Sequence, residues 1–169
     1  KQDPDFLRDL LSRFGDFHLL PEGGGNALAL KGCEEIAALL RWQNTGSRLV
    51  ALCCGTGVTM AGLISGMTAV RGAAAPEVSG VSVLKGDGYL QAEVSAHLEA
   101  HGCTSPVPWR VDETHHCGGY ARSNPSLAAF LSEFAGISDI PIEPVYTGKW
   151  FYALFDLIEK AAIPCGTEI

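Results

Sequence analysis

The apolar run Leu49-Val50-Ala51-Leu52-Cys53 passes through Cys54-Gly55-Thr56-Gly57-Val58-Thr59 directly into the helical pattern Met60-Ala61-Gly62-Leu63-Ile64. A buried strand that turns through small residues into a helix commits the chain to a β–α unit and so to a parallel sheet. The same turn is a ready anion site. Successive backbone N–H groups point into it, and the helix dipole adds roughly half a positive charge at its start. Glycines let an anion approach the backbone, and Thr56 and Thr59 add hydroxyl donors. The turn predicts a phosphorylated small-molecule ligand and does not by itself say which.

The rest of the chain alternates between strand and helix patterns. Phe6–Phe14 reads as the end of a helix, and 17–20 as a short strand. Asn26 caps a helix running to about Trp42, with Leu28, Ile36, Leu39 and Leu40 on its inner side. Strands are predicted at 48–53, 78–84, 107–111 and 140–145. The helix of the phosphate turn spans 57–70. Asp87 is read as the cap of a helix carrying Leu90, Val94 and Leu98. Asn124 with Pro125 opens another, with Leu127, Phe130, Leu131 and Phe134 on one face. The last helix, 148–161, is apolar nearly all round, which predicts burial. The expected fold is a single α/β domain over residues 1–169, three layers α/β/α around a mainly parallel sheet.

Composition excludes several classes. Twelve Lys and Arg stand against 19 Asp and Glu, a net charge of −7, and the basic residues are scattered. Nucleic-acid binding needs them clustered. No apolar stretch approaches the roughly 20 residues that span a bilayer. Six cysteines without a CxxC pair, two of them inside a core strand, read as reduced thiols of a cytoplasmic protein. Apolar residues make up 47% and charged ones 18%, with mean hydropathy +0.15. That predicts either deeply buried strands or apolar surface meant for a partner. The chain opens on Lys1 rather than Met and is read as starting inside a longer one.

In a parallel α/β sheet the ligand lies beyond the C-terminal strand ends. Three segments should meet there: the turn 54–59, the loop Gly118-Gly119-Tyr120, and Glu143-Pro144-Val145-Tyr146-Thr147-Gly148-Lys149. Tyr120 and Tyr146 are read either as site residues or as packing aromatics with one wet end. A nicotinamide fingerprint begins at Gly55-x-Gly57, but Met60 stands at its third glycine and Glu77 falls in a loop. His115-His116-Cys117 has no second ligand pair at metal-site spacing, so no metal is expected.

Pro21-Glu22-Gly23-Gly24-Gly25-Asn26-Ala27-Leu28, Cys54–Leu63, Gly118-Gly119-Tyr120-Ala121 and Glu143–Lys149 together resemble the C-terminal part of the 1-aminocyclopropane-1-carboxylate deaminase / D-cysteine desulfhydrase family, over about residues 15–169. The resemblance implies the large domain of a pyridoxal 5'-phosphate enzyme of fold type II, in the usual homodimer. It assigns Cys54, Gly55, Thr56, Gly57, Val58 and Thr59 to the cofactor phosphate and Thr147 to the pyridine nitrogen. Tyr120 and Tyr146 become active-site tyrosines facing a small amino-acid substrate. The deaminases resemble one another in a carboxylate at the place of Thr147, so the hydroxyl here favours the desulfhydrase side: β-elimination of a thiol.

The lysine that carries the cofactor as a Schiff base lies, in that family, in a Gly-Asn-Lys setting of the N-terminal half. Lys1, Lys31, Lys85, Lys149 and Lys160 stand in other contexts. The expectation is a piece of an enzyme without its N-terminal half, its nucleophilic lysine or its last core strand, and inactive alone. The alternative is a non-catalytic relic or interaction module.

Overall fold

The computed structural model describes residues 4–40, 46–69, 76–104 and 106–169. In chain order these form α1 (Pro4–Phe14), a single 3-10 turn (Glu22–Gly24), α2 (Ala27–Leu39), β1 (Leu49–Cys54), α3 (Val58–Ala69), β2 (Glu77–Ser82), α4 (Tyr89–Ala100), β3 (Trp109–Asp112), α5 (Pro125–Ile137) and α6 (Thr147–Glu159). The sheet runs β1-β2-β3 and is parallel throughout, with Leu52 beside Gly80 and Val81 beside Asp112. Its parallel character follows from the helical crossovers α3 and α4.

Alternate residues of the strands serve opposite faces. Val50, Leu52, Cys54 and Val78 join Met60, Ile64, Leu90, Val94 and Leu98 in the core under α3 and α4. Gly80 marks the closest approach, for a Cβ there would lie 2.4 Å from Met60 Sδ. The helix α6 packs against β1 and β2, and α5 packs on α6.

Helix α2 does not bury the face expected of it. Leu28, Ile36 and Leu39 are exposed, the first by 80%, while Leu30 and Ala37 are buried. Two glycines of α3 decide this. A Cβ on Gly62 would come 2.4 Å from Cys33 Cβ, and one on Gly66 would come 2.5 Å from the Glu34 carbonyl. The helices therefore meet nearly backbone to backbone along Leu30, Cys33, Glu34 and Ala37. Ser65 of α3 donates to Glu34 at 2.6 Å, and His101 bonds the same carboxylate oxygen at 2.9 Å. The expected continuation to Trp42, and position 70 of the next helix, lie outside the described residues.

Capping follows the sequence at two helices and departs from it at a third. Asn26 and Asn124 cap α2 and α5, each accepting a backbone N–H at 2.8 Å. Asp87 does not cap α4. Gly88, at φ +78°, holds the cap position, and Glu113 from beyond β3 accepts the N–H groups of Gly88 and Leu90. A carboxylate 23 residues away replaces the local one, a choice that local pattern does not encode.

No strand forms at 17–20 or 140–145 among the described residues. Leu19 and Leu20 are exposed and have no neighbouring strand. In 140–145, Pro141 and Pro144 remove two ladder donors, and the Glu143 N–H goes to Thr147 Oγ1. Nor is α6 sheathed on all sides. Only Gly148, Lys149 and Ala153 are buried, Trp150 and Phe151 are half-buried, and Phe155 and Ile158 are exposed. Beyond α6 the chain returns to the start of β1, where Arg48 and Glu168 form a parallel bridge and Leu49 N–H donates to the Glu168 carbonyl.

Candidate functional site

The turn after β1 has the expected form. Gly57 sits at φ +82°, and a Cβ there would also come 2.9 Å from Val94 Cγ2, so both backbone and space require glycine. The N–H groups of residues 55–59 find no protein acceptor among the described residues, as the first turn of a helix dictates. Thr59 is exposed and Thr56 half-buried. Gly23 closes over Thr56, since a Cβ on Gly23 would lie 2.6 Å from Thr56 Oγ1. Val58 and Cys54 are buried core residues. Burial pushes the Cys54 thiol up to about 12, and its sulfur rests 3.9 Å from Met60 Sδ. Cys54 therefore offers this turn its backbone and not a thiolate.

The other two segments arrive at the same rim. The Tyr146 hydroxyl lies 3.4 Å from the place of a Cβ on Gly55. The Tyr120 ring meets that of Tyr146 edge-on, with centroids 5.9 Å apart and planes at 73°. Burial, and then the neighbouring Tyr120, push the Tyr146 phenol above its ordinary range. Tyr120 itself is 56% exposed.

Thr147 opens α6, and Glu143 governs its surroundings. The Glu143 carboxylate accepts the N–H groups of Val145, Tyr146 and Thr147 at 2.6–2.7 Å. Thr147 Oγ1 accepts the Glu143 N–H at 2.9 Å and donates to Glu143 Oε1 at 3.2 Å. Burial disfavours the Glu143 charge, but these hydrogen bonds outweigh it and hold the carboxyl below its usual range. Gly148 makes the turn possible, because a Cβ there would lie 2.7 Å from the Glu143 carbonyl oxygen. Glu143 went unassigned in the sequence, because it stands ahead of the helix, outside the usual N-cap and capping-box positions.

Lys149 is the second residue that sequence reasoning passed over. It is completely buried, and its Nζ donates to the Gly119 carbonyl at 2.6 Å and to that of Val83 at 3.5 Å. Burial lowers the affinity of its amine for a proton. Its apolar neighbours in the sequence give no hint of this placement.

His115 belongs to a separate network. Its Nδ1 meets Asp112 at 2.5 Å and its Nε2 meets Asp156 at 3.0 Å, and Lys160 holds the same Asp156 oxygen at 2.6 Å. Hydrogen bonding to Asp112 raises the His115 pKa, and the ring links β3 to α6. Among the described residues no group of three His, Cys, Asp or Glu is arranged to hold a metal ion.

No protein-family model matches the chain. It is 27% identical over 151 residues to a Thermotoga maritima protein that carries a provisional 1-aminocyclopropane-1-carboxylate deaminase name, covering 85% of this chain and 48% of that one. It is 29% identical over 153 residues to a Klebsiella pneumoniae D-cysteine desulfhydrase, covering 85% and 45%. A crystal structure described as that of an ACC deaminase homologue superposes with a TM-score of 0.74 over 93% of this chain and 49% of that one, at 23% identity, which establishes the fold. The chain spans about half the length of the curated relatives it matches. Over most of its length the chain is thus similar in sequence to proteins named as 1-aminocyclopropane-1-carboxylate deaminases and D-cysteine desulfhydrases, and it shares the fold of an ACC deaminase homologue nearly end to end.

Proposed function

We propose that the chain carries the phosphate grip and the tyrosine-lined rim of a pyridoxal 5'-phosphate-dependent lyase or deaminase acting on a small amino acid. The observation that carries this reading is the contact between Gly55 and Tyr146. It sets a row of free backbone donors beside a pair of phenols on one sheet edge. The residues present fit the group. Donors from the turn at Cys54–Thr59, with the hydroxyls of Thr56 and Thr59, would hold the phosphate, and Thr147 would face the pyridine nitrogen. When bound, the cofactor supplies an electron sink for charge developing at the substrate α-carbon.

The chain's own residues bind and orient. Tyr120 and Tyr146 line the substrate side, and the raised phenol of Tyr146 keeps its proton at neutral pH and so acts as a donor. Thr147 offers a hydroxyl whose single proton now goes to Glu143. A hydroxyl stabilises a protonated ring far less than a carboxylate does, which favours thiol elimination of the D-cysteine desulfhydrase kind over ring opening.

The chain alone is proposed to be inactive. Lys149 is enclosed, and Lys85 only flanks Gly119, a Cβ on that glycine meeting Lys85 Cβ at 3.3 Å. The nucleophilic amine is proposed to come from the N-terminal half of the enzyme, within a cytoplasmic homodimer. The surface supports a partner: Phe14, Leu20, Leu28, Leu39 and Ile137 are exposed apolar side chains. The same surface also suits an interaction module that binds the cofactor weakly. No helix among the described residues is long and apolar enough to cross a membrane.

Titration with pyridoxal 5'-phosphate, pyridoxal and inorganic phosphate, read by tryptophan quenching, tests the reading. Binding of the first and competition by phosphate are expected. Equal response to pyridoxal and its phosphate would remove the grip. A borohydride-stable pyridoxyl adduct confined to Lys85 or Lys149 would overturn the claim that the amine comes from elsewhere.

A further inference from the structure

Lys149 occupies a place that disfavours it three times over. Its side chain is wholly buried. Among the described residues no carboxylate pairs with it. It also sits in the first turn of α6, where the helix dipole repels a cation. An apolar side chain of the same length would fill the space without the desolvation cost. The amine must therefore be held for what its head group does. It donates to the Gly119 carbonyl at 2.6 Å, and only weakly, at 3.5 Å, to Val83.

The Gly119 carbonyl belongs to the peptide plane that leads into Tyr120. Gly118 and Gly119 stand at φ +101° and +112°, where glycine rotates freely and few other residues go. Within the loop, Gly118 N–H donates to His116 Nδ1 at 2.9 Å, Gly119 N–H to the His116 carbonyl at 3.0 Å and Arg122 N–H to the Gly119 carbonyl at 3.0 Å, bonds that shape the turn but do not join it to α6. Lys149 lies three residues after Tyr146 on the same helix, so one side chain ties the loop bearing Tyr120 to the helix bearing Tyr146.

We propose that Lys149 is a positioning residue: by clamping the Gly119 carbonyl it fixes the spacing and tilt of Tyr120 against Tyr146, and so the width of the substrate side of the rim. The functional part rests on the proposed reading of the two tyrosines as substrate-facing; the mechanical part does not.

The test uses the whole chain labelled with 3-fluorotyrosine, whose four tyrosine signals are assigned by single Tyr→Phe changes. In Lys149→Met the Tyr120 signal should move to that of an unstructured tyrosine and cease to respond to Tyr146→Phe. Tyr89 and Tyr152 should stay in place, and the melting temperature should hold or rise. A Tyr120 signal unmoved in the folded variant overturns the proposal. So does a variant in which all four signals move or cooperative melting is lost, because Lys149 would then hold the fold rather than aim one tyrosine. The unmodified chain gives a measurement independent of any variant. With 15N-labelled lysine, one head-group nitrogen should stand apart from the others in chemical shift and vanish in Lys149→Met; its absence from the unmodified chain overturns the clamp. Neither measurement contains cofactor. A chain that ignores pyridoxal phosphate yet loses the tyrosine contact in Lys149→Met would retire the proposed function and leave the clamp standing.

Discussion

The Tyr146 hydroxyl stands 3.4 Å from the space that a side chain on Gly55 would enter, so the head of α6 closes over the turn that follows β1. That distance is ordinary van der Waals contact. Gly55→Ala should therefore fold with a melting temperature close to the parent's. The added methyl would nevertheless stand where an anion must reach the backbone, and pyridoxal phosphate affinity should fall by roughly tenfold. Isothermal titration of both proteins checks this; equal affinities would place the anion elsewhere.

Thr59 is exposed at the start of α3 with a hydroxyl free for a ligand. Thr59→Val should weaken phosphate-bearing ligands by about 1–2 kcal/mol, as for one lost hydrogen bond to a charged group. Its affinity for pyridoxal, which lacks the phosphate, should not change. Parallel losses for both ligands would assign Thr59 to something other than the phosphate.

Glu143 caps α6 with hydrogen bonds from three consecutive N–H groups. Glu143→Ala should cost about 0.5–2 kcal/mol in denaturant unfolding. Because the folded carboxyl lies below its ordinary range, its contribution is present above the unfolded value of about 4.3 and fades as pH falls. The variant should lose that part of the acid slope. Thr147→Glu would set a second carboxylate against this cap and destabilise the chain, and adding Glu143→Gln should recover the loss.

The His115 clamp has the opposite sign. Its folded pKa is raised, so its contribution is complete below the unfolded value of about 6.5 and is lost as pH rises through the folded one. The partner Asp112 is held low: burial opposes its charge, but the bonds from His115 and Thr114 outweigh burial. Its share appears above about pH 3.9 and fades in acid. Melting temperature should decline from mildly acidic toward alkaline pH, and His115→Gln should flatten that decline at a cost of about 1.5–3 kcal/mol. A parent and variant with parallel profiles would discount the clamp.

The β1–α3 unit, the parallel sheet and the caps at Asn26 and Asn124 were legible because each is written locally, in runs, glycines and side chains three residues from their targets. Convergence of the three rim segments was legible too, since a parallel sheet gathers its loops at one edge. What escaped was non-local. Glu113 caps α4 from 23 residues away. The glycines of α3, not the leucines of α2, choose which side of α2 is covered. Lys149 hid inside an apolar helix pattern because its partners are backbone carbonyls 30 and 66 residues off, and carbonyls leave no mark in a sequence. The strand expected at 140–145 had the right alternation but two prolines, and chemistry of the missing N–H overrode pattern.

The lone bridge between Arg48 and Glu168 touches β1 only at its first residues. Past Leu49, the outer rail of that strand, including the amide and carbonyl of Ala51 and Cys53, pairs with no strand among the described residues. An open rail of this kind is a template for any extended segment that meets it. At high concentration the isolated chain should thicken by adding strands there, and a lysine or proline introduced at Ala51 should keep it dispersed.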